Sequence, residues 1–242
     1  YEPESLKNID KVDSNALWDA HFKAKTELLH FANSQLSKAL DPNILTIGFA
    51  RRAATYKRAQ LIFKEPEKLI DLGAGKIQLV FSGKAHPNDK EGKELISGII
   101  QTAKDYEGKI KIIYLENYNM WLGKLITSGV DVWLNTPLRP NEASGTSGMK
   151  SALNGIPNLS ILDGWWDEGC NDKVNGWSIG SSENVDDDRD VSSLYETLKL
   201  DVIPTFYDDR ERWISIMRNS IKTGVDFTSQ RMLKDYQKLY YR

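Results

Sequence analysis

The feature that most constrains this chain is an alternation. Five short apolar runs rich in β-branched residues recur along it: NILTIGFA at 43–50, IQLVFSG at 77–83, KIIYLE at 111–116, VDVWLN at 130–135 and NLSIL at 158–162. Segments of helical character fall between or after them, at 56–63, 90–106, 120–127 and 148–154. A leading helix is predicted over 17–40, where Leu17, Phe22, Leu28, Leu29, Phe31 and Leu36 keep helical spacing and Asp41-Pro42 ends the run. Strands alternating with helices predict an α/β fold, a doubly wound, Rossmann-like parallel sheet covered on both faces. The expected organisation is a leading helical segment at 1–41, an α/β core at 42–185 and C-terminal helices at 186–242.

In such a sheet ligands bind beyond the carboxyl ends of the strands. Four unusual segments fall at those ends: GFARRAATYKR, SGKAHP, LENY and NEASGTSGMK. The first places Arg51, Arg52, Lys57 and Arg58 within eight positions of one another, directly after a strand. Guanidinium groups grip phosphate bidentately and lysine adds a point charge, so the cluster points to a phosphorylated ligand. Arg58 taken alone is expected to run out into solvent. The formal net charge is −2, so no global field draws the chain to nucleic acid or an anionic membrane, and any anion must be held locally.

EASGTSGMK, at 142–150, joins one carboxylate to small and hydroxylated residues and then a lysine at a helix start. The glycines let backbone approach a ligand, and the helix start aims free N–H groups at an anion. Glu142 is an acceptor suited to polyol hydroxyls. Lys150 suits either a phosphate contact or a Schiff base with an aldehyde cofactor such as pyridoxal phosphate. A mononucleotide P-loop is excluded by spacing, since two residues separate Gly145 from Gly148 and Met149 precedes Lys150.

Other features read as structural or neutral. Trp165 and Trp166 favour the core over sugar stacking, His21 and His30 read as structural, His86 sits at a strand end, and DDDRD at 186–190 reads as a solvated loop. No His/Cys/Asp spacing suggests a metal site, and no apolar run approaches the ~20 residues of a membrane span. A single cysteine, Cys170, makes a cytoplasmic setting the expectation.

Taken in order, GFARRAATYKR, VFSGKAHP, YLENY, NEASGTSGMKSALNG and LDG resemble the α-glucan (glycogen, maltodextrin or starch) phosphorylases, with LDGWWDEG and NGWSIG closest to the shorter bacterial and archaeal branch. The resemblance implies the C-terminal half of a GT-B glycosyltransferase fold. It implies that Lys150 carries pyridoxal 5'-phosphate as an imine, with Arg51, Thr146 and Ser147 around its phosphate and Tyr118 against its ring. Arg52 and Lys57 would bind the substrate phosphate, and Glu142 with the backbone of Ser144 and Gly145 would grip the glucosyl hydroxyls. The implied reaction is phosphorolysis of an α-glucan by inorganic phosphate to glucose 1-phosphate with retention, the cofactor acting through its phosphate.

Ala54 and Asn119 depart from the long-chain members, which carry histidine and often arginine there. Tyr1 in place of methionine, together with the match to one half of the fold, leads to the expectation that the N-terminal GT-B domain is absent and that the fragment alone is inactive. A retaining nucleotide-sugar glycosyltransferase of the glycogen synthase type shares the implied fold. It looks to have a second glutamate where Lys150 stands, which argues against that reading. A non-catalytic module binding sugar phosphates is the third reading.

Overall fold

The computed structural model describes residues 3–36, 39–180 and 186–241. A short 3-10 segment, Pro3–Lys11, leads into helix α1 (Ser14–Leu36), and residues 37–38 of the helix predicted over 17–40 lie outside the described residues. Then follow β1 (Leu45–Ala50), α2 (Pro66–Gly73), β2 (Ile77–Ser82), α3 (Lys90–Asp105), β3 (Lys111–Leu115), α4 (Met120–Gly129) and β4 (Val132–Asn135). The second half adds α5 (Thr146–Leu153), β5 (Asn158–Ile161), α6 (Trp165–Gly169), β6 (Gly176–Ile179), α7 (Asp187–Thr197), α8 (Ile203–Asp208), α9 (Arg210–Asp226) and α10 (Ser229–Leu239). Among the described residues no helix is long and apolar enough to cross a membrane.

The six strands form one sheet in the order β3-β2-β1-β4-β5-β6, with every pairing parallel. This is the doubly wound order, and its direction of winding reverses between β1 and β4. Strands β1, β2, β4 and β5 are buried along their whole length, as the continuous apolar runs require of a sheet covered on both faces. One face packs against α2, α3, α7 and α8 through Phe49, Phe81, Leu134 and Trp177; the other packs against α1 and α4 through Ala50, Val80, Ile113 and Trp133.

Several elements depart from the sequence expectation, the short helix α6 among them. The helix predicted over 56–63 is instead two single 3-10 turns, Thr55–Lys57 and Leu61–Phe63, separated by Arg58 in the left-handed region at φ 46°. The unanticipated α2 starts at Pro66, which occupies the first turn where a missing N–H costs nothing. Strand β6 is also unanticipated: it has four residues and pairs with one other strand, β5, with a single further bridge from Gly176 to Asp172.

Arg58 corrects two expectations together. Its guanidinium does not run into solvent; the side chain is 9% exposed and reaches Asp187 at 2.6 Å, Asp190 at 2.7 Å and the carbonyls of Thr136 and Pro137. The DDDRD run is correspondingly not a free loop. Asp186 caps α7 by accepting from the N–H groups of Asp188 and Arg189, and Asp187 and Asp190 fasten that helix to the segment after β1. Trp165 and Trp166 lie in the core, at 3% and 0% exposure, as expected.

Candidate functional site

The strand order reverses between β1 and β4, where sheets of this kind bind ligands, and the two most unusual sequence segments meet at the carboxyl ends of these strands. After Ala50 the chain stays registered on β2: the Arg51 N–H donates to Ser82 O at 3.2 Å and the Ala53 N–H to Lys84 O at 3.0 Å. Gly83 makes this possible, because a Cβ there would stand 2.2 Å from the Arg51 carbonyl oxygen. SGKAHP thus serves as the rail on which the arginine segment rests, while His86 is exposed and closes its own turn by accepting from Asn88 N–H.

The loop after β4 returns to the same place. Asp163, in the LDG run after β5, accepts from the Glu142 N–H at 2.9 Å, and the Trp165 N–H donates to Ser144 O at 2.8 Å. Gly145 then turns into α5 with φ 96°, where a side chain would be strained and would press on the Trp165 ring at 3.1 Å. As the residue ahead of the helix, Gly145 offers no side-chain cap, and neither Ser144 nor Gly145 donates a backbone hydrogen bond among the described residues. The start of α5 therefore presents unsatisfied N–H groups at these strand ends.

The side chains converge on Arg51. Its Nη1 donates to Glu142 Oε2 at 3.0 Å and its Nη2 to Ser147 Oγ at 3.0 Å, while its Nε is buried without a partner. The Lys57 ammonium shares the same Glu142 oxygen and lies over the Tyr56 ring at 4.4 Å. Arg51, Lys57 and Glu142 are 8%, 6% and 8% exposed. Burial pulls the Arg51 guanidinium below its usual pKa and Glu142 opposes that, which leaves a protonated cation in a poorly solvated place. Tyr118 is half-buried, and burial raises its phenol while the positive charge of Arg51 lowers it, so the ring lies within electrostatic reach of the cluster.

Of the residues singled out from sequence, the structure joins Arg51, Lys57, Glu142 and Ser147 by direct contact. Thr146, Arg52 and Lys150 are exposed, and Ser144 is partly exposed. Lys150 makes no ion pair among the described residues. It follows Ser147 by three positions on α5 and so shares the helix side that touches Arg51. Asn119 caps α4 by accepting from the Leu122 N–H at 2.9 Å, a task for a short amide that a longer arginine would not perform in the same way.

Sequence reasoning missed Asp163, which fixes the Glu142 backbone, and the inward ion pairs of Arg58, which brace the cation segment from behind. A signal existed for the first, since Asp163 stands directly beyond a strand end. None existed for the second, whose partners lie about 130 residues away.

The chain is similar to known carbohydrate-active proteins. A family model described as carbohydrate phosphorylase matches residues 4–168. The maltodextrin phosphorylase of Thermococcus litoralis is 43% identical over 96% of this chain and 30% of its own length. The glycogen phosphorylase of Aquifex aeolicus is 41% identical over 96% of this chain and 38% of its own, and that of Mycobacterium tuberculosis is 40% identical over 99% and 31%. The chain thus spans about a third of the length of these relatives.

Proposed function

The chain belongs to the carbohydrate phosphorylase family, and from that premise we propose that it supplies the cofactor-bearing wall of an α-glucan phosphorylase active site. The observation that carries the proposal is Arg51, buried between Ser147 of one motif and Glu142 of the same loop, with a donor to spare. Phosphorolysis of an α-1,4-glucan to glucose 1-phosphate with retention, a cytoplasmic setting and a companion N-terminal GT-B domain outside these residues all belong to this reading.

Pyridoxal 5'-phosphate fits the residues present. The unpartnered Nε of Arg51, the uncapped start of α5 and the exposed Lys150 on the Arg51 side of that helix are the parts such a group needs. Lys150 would anchor it through the ε-amine, Arg51, Thr146 and Ser147 would hold its phosphate, and Tyr118 would lie against its ring. When bound, the cofactor supplies a phosphate able to exchange a proton with the substrate phosphate beside it.

The chain's own groups have a demanding task, because unit charges ~4 Å apart repel by about 4 kcal/mol at an effective dielectric near 20. Several cations are required to hold two phosphates adjacent, and the chain supplies Arg51 and Lys57 buried against Glu142, with Arg52 and Lys150 exposed. Arg52 and Lys57 would neutralise the substrate phosphate and orient one of its oxygens toward the glucosyl carbon. The Glu142 carboxylate and the free N–H groups of Ser144 and Gly145 would fix the sugar hydroxyls, holding the ring still while positive charge grows on it.

The test is incubation with pyridoxal 5'-phosphate, borohydride reduction and peptide mapping. Label at Lys150 supports the proposal. A protein that stays colourless, or is labelled elsewhere, refutes it.

A further inference from the structure

We propose that Glu142 is an internal anion that occupies the phosphate-binding cations until a phosphate displaces it, and that its release couples phosphate binding to sugar binding. The inference rests on reading this site as one that holds a sugar beside phosphate.

One carboxylate oxygen of Glu142 accepts from both Arg51 and Lys57, and all three side chains are nine-tenths buried. A carboxylate on a guanidinium and an ammonium presents the acceptor edge that a phosphate would present to the same donors. A phosphate added without displacing Glu142 would bring two anions into one poorly solvated place, at a repulsion of several kcal/mol by the same Coulomb argument. With Oε2 taken by two cations, Glu142 keeps only Oε1 for sugar hydroxyls, one acceptor oxygen where the released carboxylate offers two. The ion-paired arrangement is therefore the poorer one for both ligands, and the released arrangement suits both.

The fold restricts the exchange to a side-chain rotation. Asp163 holds the Glu142 N–H, and the Glu142 carbonyl oxygen passes close to Gly164, 2.8 Å from where a Cβ would stand, so the backbone is held by one hydrogen bond in a tightly packed place. The apparent affinity of each ligand is reduced by the fraction of molecules in the released state, and a ligand that captures this state removes the penalty for the other. Linkage requires the effect to be reciprocal.

The experiment is calorimetric titration of the full 242-residue chain with inorganic phosphate and with glucose, each alone and in the presence of the other. Phosphate is expected to tighten glucose binding by about tenfold, and glucose to tighten phosphate binding by the same factor. In Glu142→Gln phosphate binds about tenfold tighter than in the unaltered chain and no longer responds to glucose. Glu142→Asp keeps the charge but shortens the reach, so it too binds phosphate more tightly.

Independent or antagonistic binding in the unaltered chain, or Glu142→Asp matching the unaltered chain in phosphate affinity, overturns the proposal. The second result would mean that the carboxylate acts only through space. Should glucose heats fall below detection, the phosphate affinities of the two variants decide alone. Thermal unfolding of each variant verifies that it folds. Lys150 labelling without coupling leaves the functional reading standing and removes this one; coupling without labelling does the reverse.

Discussion

Strand β1 carries a buried charge cluster at each end, and the two are completed differently. At its amino end Lys25 and Asp131 are fully buried, with Lys25 Nζ 2.5 Å from Asp131 Oδ2. The other Asp131 oxygen lies 2.8 Å from His21 Nε2, which must carry the proton if it is to donate to an ionised carboxylate. The Thr46 N–H also donates to Asp131, and Lys25 donates a second bond to Ile44 O. One cation meets one anion there, and the carboxylate oxygens are fully engaged. At the carboxyl end two cations share one carboxylate, Arg51 keeps an unused N–H, and Arg52 and Lys150 of the same two segments are exposed. Burial and charge are common to both clusters, and each keeps an unpartnered buried nitrogen, His21 Nδ1 in the first and Arg51 Nε in the second; two cations on a single carboxylate oxygen belong to the second alone. The first is a staple that ties α1 to the sheet, and the second is the cluster proposed to take a ligand.

The largest expected effect breaks the staple. Asp131→Ala leaves Lys25 buried without its anion and should cost about 3–5 kcal/mol in urea unfolding, with phosphate affinity unchanged. Loss of phosphate binding without loss of stability would reverse the assignment.

The second test uses acid. Burial alone would raise the Asp131 carboxyl, but Lys25 and His21 together outweigh it and hold the group below the usual carboxylate range. A group depressed in the folded state contributes stability that is complete above its unfolded value, near pH 4, and is lost as pH falls through its lower folded value. The staple should therefore hold between pH 7 and about 4 and weaken below that. The urea midpoint of Asp131→Asn should fall less steeply there than that of the unaltered chain.

At the other end Arg51→Met should weaken phosphate binding at least tenfold, about 1.4 kcal/mol, while shifting the unfolding midpoint less than Asp131→Ala does. Ser147→Ala removes one hydroxyl and should weaken the same binding only a few-fold. The smallest effect lies away from both clusters. Burial, with Asp172 adding to it, pushes the Cys170 thiol up to about 12, so alkylation at pH 8 should be far slower than for a free thiol.

The strands of the buried sheet were legible because a parallel sheet covered on both faces demands continuous apolar runs, and 43–50, 77–83 and 130–135 have no other easy reading. The site was legible for a similar reason: cations and glycines placed directly after such runs have few structural uses. What stayed hidden depends on distant partners. Arg58 takes a left-handed conformation and divides a helical pattern into two turns, held there by Asp187 and Asp190 from α7, which no local window contains. Strand β6 escaped because four residues beginning with Gly176 carry little pattern of their own. Its Trp177 is held from outside the strand, through Nε1–H to Asp201 at 3.0 Å.

The most direct measurement of the central claim is a crystal structure of the chain grown with pyridoxal 5'-phosphate and inorganic phosphate. The account predicts a phosphate against Arg51 and Ser147, continuous density from Lys150 to the cofactor, and the Glu142 carboxylate turned off Arg51 and Lys57. Phosphate bound elsewhere, with Glu142 still paired and Lys150 free in solvent, would contradict it.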